Sequence, residues 1–238
     1  MSGYYGVDGC RGGWLYAQLS DHKVAFGVIT QLADLVERVS PASRLFVDIP
    51  IGLREGEEGV RLCDKQARRL LSPLRASSVF NAPIRPVIDI EDYQQANSES
   101  KRLSGKGLSK QSFNITPKIR EVDRLMLASD KARQVVREVH PEVCFYGLAG
   151  GRPMQHGKKT REGFAQRLGL LRKFQAGVER DVEAALAQYP RKVVAADDIL
   201  DALVCALTAR MADQWKTVPA LPEVDSKGLP MEMVYCEV

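Results

Sequence analysis

Four aspartates are placed for metal-assisted chemistry. Asp8 closes a short apolar strand, residues 4–8, within Gly-Val-Asp-Gly. Asp48 lies near the end of another run of strand formers, residues 45–49, within Phe-Val-Asp-Ile-Pro. Asp198 and Asp201 stand three apart at the start of a long helical segment, so they share a face. Ala202, Cys205 and Ala209 continue that face with small side chains, which let a helix lie close on a sheet and carry its acids to strand ends. Carboxylates in apolar surroundings are costly unless compensated. A divalent cation compensates them, and Mg²⁺ takes its oxygen ligands from a few carboxylates plus substrate phosphate. Each acid also has a plainer reading. Asp8 precedes a glycine and suits a turn, Asp48 suits a cap before Pro50, and Asp197 or Asp198 suits a helix N-cap. Asp201 resists such a reading, because it interrupts an apolar helical stretch one turn inside.

A second group, Glu138, His140 and Glu142, alternates at strand spacing and is expected on one face, unless Pro141 breaks the strand before Glu142. His140 reads either as a proton shuttle that positions water or as a histidine packed at a strand end. Glu142 is a further candidate metal ligand. Gly9, Gly12 and Gly13 follow the first strand, but their spacing is not G-x-G-x-x-G and opens into a strand, which disfavours a dinucleotide site. They fit a tight turn that lets backbone approach phosphate or metal, and Arg11 within it is a candidate phosphate contact. Ser77, Ser78, Gln111 and Lys118 are suited to holding a substrate. Glu121 and Asp123, beside Arg120 and Arg124, read as a solvated face or structural ion pairs.

The elements that must position these groups follow from periodicity. Residues 4–8, 14–19 and 24–29 read as an antiparallel meander, with a turn at Asp21-His22-Lys23. Residues 31–39 repeat Leu32, Leu35, Val36 and Val39 at helical spacing. Residues 45–49 are a fourth strand. Residues 54–132 form a helical and loop insertion, with helices at 60–71, 91–103 and around 119–126, an ordered loop at 72–86 and a second loop at 104–112. Residues 134–139 are a strand candidate, followed by an apolar run at 143–148. A glycine-rich loop at 147–157 and helices at 160–174, 178–186 and 197–215 complete the chain, and residues 231–238 suit an edge strand. The expected order is β-β-β-α-β-α-β, an α/β domain spanning residues 1–238 with its insertion after the fourth strand.

Several segments carry a family resemblance. They are Gly6-Val-Asp-Gly-Cys-Arg-Gly-Gly-Trp14, Asp48-Ile-Pro-Ile-Gly-Leu53, Cys63-Asp-Lys-Gln-Ala-Arg68, Ser77-Ser-Val-Phe80, Lys118-Ile-Arg-Glu-Val-Asp123, Glu138-Val-His-Pro-Glu142 and Asp197-Asp-Ile-Leu-Asp-Ala-Leu203. In this order the chain resembles the prokaryotic family catalogued as domain of unknown function 429, described as predicted nucleases of the RNase H-like fold. The Asp198 to Ala202 segment also resembles the last-helix motif of Holliday-junction resolvases, which share that fold. The resemblance implies an RNase H-like mixed sheet flanked by helices. It also implies two Mg²⁺ or Mn²⁺ ions held by Asp8, Asp48, Asp198 and Asp201, with Asp8 bridging because the first strand is central in this fold. The reaction expected is two-metal hydrolysis of a phosphodiester in nucleic acid or a nucleotide. The alternatives are a sugar-kinase or ATPase-like enzyme, which shares the ancestral fold and an Asp at the end of the first strand, and a binding protein with a degenerate site.

Composition bounds these readings. With 238 residues, 45% hydrophobic and 27% charged, the chain is globular, neither disordered nor a disulfide scaffold. Its net charge of +4 is too small to announce a nucleic-acid binder. That figure divides unevenly: residues 61–120 hold twelve Lys and Arg against five Asp and Glu, a net +7, and the remainder is −3. Lys101 and Arg102, in a loop-flanked cluster with Lys106 and Lys110, are candidate phosphate contacts; a solvated charge run is the alternative. Five scattered cysteines without C-x-x-C suit buried, reduced thiols. Without a signal-peptide pattern or an apolar span, a cytoplasmic, non-membrane protein is expected. Trp215 and the apolar tail are expected to be exposed and to offer a homodimer interface.

Overall fold

The computed structural model describes residues 3–20, 23–57, 59–211 and 214–238. The expected turn at Asp21-His22-Lys23 lies largely outside the described residues. Strands β1 (Tyr4–Cys10), β2 (Gly13–Leu19) and β3 (Val24–Ile29) form the antiparallel meander. After helix α1 (Leu32–Arg38) comes β4 (Arg44–Val47), parallel to β1, and later β5 (Val136–Glu138), parallel to β4. The mixed five-stranded sheet has the order β3-β2-β1-β4-β5.

Both faces of this sheet are covered, so its strands alternate between two cores. Val7, Trp14, Leu45 and Val47 pack with α1 and with residues of α5 (Thr116–Ala128) and α6 (Asp130–Val135). Leu15, Ala17 and Phe46 face a core shared with α7 (Pro141–Leu148), α8 (Arg161–Leu171), α9 (Val178–Gln188) and α10 (Ala196–Arg210). Helix α10 lies directly on β1 and is buried all round from Ile199 through Ala209. Such a helix reads as apolar on every side except where function intrudes, and here Asp201 is the intrusion.

Between β4 and β5 the chain forms α2 (Leu62–Leu70), two single 3₁₀ turns, α3 (Tyr93–Ser104), α4 (Lys110–Asn114), α5 and α6, with no strand among the described residues. The turns Ala76–Ser78 and Arg85–Val87 occupy the stretch expected to be loop, and α4 ends the second expected loop.

The segments around β5 differ from the expected ones in their bounds. The strand expected at 134–139 is present but shorter, Val136–Glu138: the Ser129 side chain caps α6 by accepting the Ala132 N–H, and the helix runs through Val135 before three residues pair with β4. The apolar run at 143–148 belongs to helix α7, which Pro141 starts at its first turn. Its uniform apolarity reflects burial between α10 and the C-terminal strands.

The tail forms the expected strand, outside the main sheet. Strand β7 (Pro230–Cys236) pairs with β6 (Trp215–Val224) in a separate two-stranded sheet, so helix α10 ends at Arg210 and does not reach 215. Trp215 is only partly exposed. Its indole N–H donates to the Thr208 carbonyl at 2.8 Å, its ring lies 4.9 Å from Phe46, and the Arg44 guanidinium sits over it. In β6 and the tail, Leu221, Val224 and Val238 are exposed apolar groups. All five cysteines are free and buried. Among the described residues, no helix is long and apolar enough to cross a membrane.

Candidate active site

Three parallel strands end in one row. The Asp48 N–H donates to the Val7 carbonyl at 2.9 Å, and the Val139 N–H donates to the Val47 carbonyl at 3.1 Å. The ladder therefore sets Asp8, Asp48 and the segment after Glu138 side by side at the carboxyl ends of β1, β4 and β5, where ligand crevices of α/β sheets form. Helix α10 brings Asp201 to the same edge. Asp8, Asp48, Asp201, His140 and Glu142 line a cavity of about 490 Å³, the size of a small-molecule site.

Asp201 is fully buried, and Asp8 and Glu142 nearly so. Burial first, then the charges of Asp48 and Asp201, hold Asp8 well above the usual aspartate range. Burial pushes Asp48 up to about 7, with Lys158 pulling down and Asp201 and Glu142 adding to the rise. Asp201 Oδ1, Glu142 Oε2 and His140 Nδ1 are buried and have no hydrogen-bond partner among the described residues. Unpartnered buried carboxylate oxygens carry a desolvation cost that a hard cation relieves. Carboxylate oxygens are donors of the type that Mg²⁺ and Mn²⁺ take.

Two protein cations partly offset these acids. The Lys158 ammonium donates to Asp201 Oδ2 at 2.5 Å and lies 3.6 Å from Asp197. Burial works against its charge, but Asp201, Asp8 and Asp48 keep it well above the usual lysine value. Arg167, buried on α8, donates to the second oxygen of Glu142.

A separate acidic trio, Cys63, Asp64 and Glu138, has ligand atoms within 4.8 Å of one another. The Arg61 guanidinium already sits among them, 2.7 Å from Asp64 and 2.8 Å from each Glu138 oxygen. That trio is an ion-pair cluster.

The chain matches, over residues 6–224, the family described as "Protein of unknown function (DUF429)". The chain belongs to the DUF429 family. No curated protein and no solved structure matches it.

In this DUF429 protein the same cavity is also lined by Ser77, Ser78, Gln111 and Lys118, together with Arg75, Asn114 and Lys159. The Lys118 ammonium donates to the Gly13 carbonyl at 2.5 Å and stands 4.3 Å from the Trp14 ring; burial pushes its pKa down. Other expected residues are absent from the lining. Asp198 stands beside the cavity but turns one oxygen to the Ala195 N–H at 2.8 Å, securing the first turn of α10, and burial raises it to about 6. Arg11 is exposed in the β1–β2 turn, and Lys101 and Arg102 are exposed on α3, where Arg102 pairs with Glu99.

Glu138, His140 and Glu142 do reach one cavity, but not as one strand face: Glu138 ends β5, His140 is the N-cap of α7 and Glu142 lies in its first turn. Burial pushes the His140 imidazole below its ordinary pKa, and its Nε2 lies 3.4 Å from the Ser78 carbonyl. Asp123 is the structural ion pair expected, with Arg85 at 2.8 Å, whereas Glu121 accepts from the Trp14 indole and the Leu32 N–H.

Sequence reasoning missed Lys158 and Arg167. Arg167 had a signal, since it shares the apolar face of Phe164, Leu168 and Leu171 at helical spacing, where an arginine needs a buried partner. Lys158 followed a glycine-rich loop, and nothing local tied it to residue 201.

Proposed function

We propose that this DUF429 protein is a metal-dependent phosphodiesterase of RNase H-like fold. The reading is carried by one observation: buried carboxylate oxygens of Asp201 and Glu142 lack partners in a cavity shared with Asp8 and Asp48. The strand order β3-β2-β1-β4-β5, with three antiparallel strands followed by two parallel ones, supports the fold assignment. When bound, Mg²⁺ or Mn²⁺ supplies Lewis-acid stabilisation and lowers the pKa of an attacking water.

The chain's own groups divide the remaining work. Asp8, Asp48, Asp201 and Glu142 hold the cation. Burial favours the neutral form of His140, and with Nε2–H directed at the Ser78 carbonyl its Nδ1 accepts a proton from water. Ser77, Ser78, Gln111, Lys118 and Lys159, which line the same cavity, bind and orient phosphate oxygens. The walled cavity suits a small nucleotide or a strand end better than a through-running duplex.

The test is hydrolysis of a panel of cyclic dinucleotides, short single strands and duplexes with Mn²⁺, wild type beside Asp8→Asn. Turnover abolished by chelator and by Asp8→Asn supports the reading. Absence of turnover on every substrate, with no Mn²⁺ bound at millimolar concentration, sinks it.

A further inference from the structure

In a two-ion arrangement Asp198 and Asp201 would serve the second ion, but each already has one of its two oxygens engaged. One oxygen of Asp198 caps α10 through the Ala195 N–H, and one oxygen of Asp201 accepts from Lys158 at 2.5 Å. We propose that Lys158 takes the place of one of the two ions, so that the acid cluster holds a single hard divalent cation beside a fixed ammonium. The inference rests on the metal-dependent reading above and specifies the composition of its site.

Local charge supports this count. At the edge where α10 meets the strand ends, Asp8, Asp48 and Asp201 bring three negative charges, while Glu142 is balanced by Arg167 and, farther along the lining, Arg61 stands between Asp64 and Glu138. Lys158 leaves two negative charges, which one divalent cation neutralises. A second would leave the acid end two charges positive before substrate arrived, with Lys118, Lys159 and Arg75 along the same cavity. Uncompensated charge of that size is costly in a largely buried site.

Lys158 is also held in place. The loop before it is fastened by Arg167, which donates to the His156 and Gly163 carbonyls, each at 3.0 Å, while gripping Glu142. After Lys158, Thr160 caps α8 by accepting the Gly163 N–H at 3.0 Å, and the Thr160 N–H returns to the Gly157 carbonyl at 3.0 Å. Gly163 lies so close that a Cβ there would stand 1.9 Å from the Gly157 carbonyl oxygen. One arginine thus positions both a cation ligand and the loop that delivers the lysine.

The experiment is Mn²⁺ binding to the full chain by equilibrium dialysis, with electron paramagnetic resonance to separate isolated ions from spin-coupled pairs. Wild type is expected to bind one equivalent with an isolated-ion spectrum. Lys158→Met removes the charge and keeps most of the stem; it is expected to bind two equivalents with a coupled spectrum, the first at least about tenfold tighter than in wild type. Lys158→Arg keeps the charge and should stay at one. Two coupled ions in wild type overturn the inference and leave the metal-dependent reading standing. One ion in both wild type and Lys158→Met overturns the role of Lys158. No ion in any of the three overturns the metal reading itself.

Discussion

Gly6 of β1 and Ala202 of α10 meet backbone to backbone: a Cβ on Gly6 would stand 2.0 Å from the Ala202 carbonyl oxygen. That approach is what brings the acids together, since Asp8 is two residues along the same strand face and Asp201 adjoins Ala202. Gly6→Ala must push the helix off the sheet, at a cost of about 1–3 kcal/mol. It should also weaken Mn²⁺ binding, by about tenfold or more, through separation of Asp201 from Asp8. Gly9→Ala is the control, because its Cβ would meet only the flexible stem of Lys118 at 2.9 Å. Thermal melts and Mn²⁺ titration of both variants check this; a Gly6→Ala protein that melts and binds like wild type would show the close approach to be dispensable.

The cluster of Arg61, Asp64 and Glu138 calls for a different experiment. Glu138 Oε2 also accepts the Ile51 N–H at 2.6 Å, and Arg61 donates to the Ile51 and Gly52 carbonyls, so the cluster holds the chain that follows Asp48. Arg61→Met leaves two buried carboxylates without their cation and should cost about 3–5 kcal/mol in urea denaturation. Adding Glu138→Gln should recover part of that loss. If the double variant is as unstable as the sum of the single ones, the two residues do not act as a pair.

Much of the candidate site was legible because acids inside apolar runs conflict with burial. Asp8, Asp48 and Asp201 each broke a strand or helix pattern, and all three line the cavity. Asp198 matched the helical spacing, yet the same position in the first turn suits backbone capping, and that role took one of its oxygens. The partners were not legible, since Lys158 meets Asp201 across 43 residues and Arg167 meets Glu142 across 25. In the fold, α7 hid as an apolar run because it is buried on nearly every side, and β6 hid behind Pro219 and Pro222. The three-residue β5 was too short for a period of two to fix its bounds.

Asp48 gives a pH dependence whose sign runs against the usual carboxylate. Burial raises it from the ordinary aspartate value to about 7, so between those values the folded protein binds more protons than the unfolded chain. Stability conferred by the protonated form is therefore lost as pH rises through that window. Asp8 and Glu138, both raised chiefly by burial, act in the same direction. In the presence of chelator, the melting temperature should fall between about pH 5 and 8. Asp48→Asn should flatten that slope and melt above wild type at the alkaline end. Mn²⁺ should restore the wild type there and leave Asp48→Asn largely unaffected. A wild-type melting temperature that rises across this range would show the acids to be compensated within the chain.

The basic excess of residues 61–120 is the last point, because it bears on substrate size. Of its twelve Lys and Arg, only Arg61, Arg75 and Lys118 line the cavity, and Arg61 is consumed by its own ion pairs. Lys101 and Arg102 stand exposed on α3, with Arg102 held by Glu99. Replacing Lys101 and Arg102 with alanine should therefore change kcat/KM on a dinucleotide by less than about twofold, at low or high salt. Lys159→Ala, at the cavity itself, should lower it by about tenfold. A long duplex separates two substrates for one site: if polymer tracks across α3, the double variant loses affinity for it with a reduced salt slope, while dinucleotide hydrolysis stays unchanged. Equal loss on dinucleotide and duplex would place α3 within the working site and overturn the assignment of the substrate to the cavity alone.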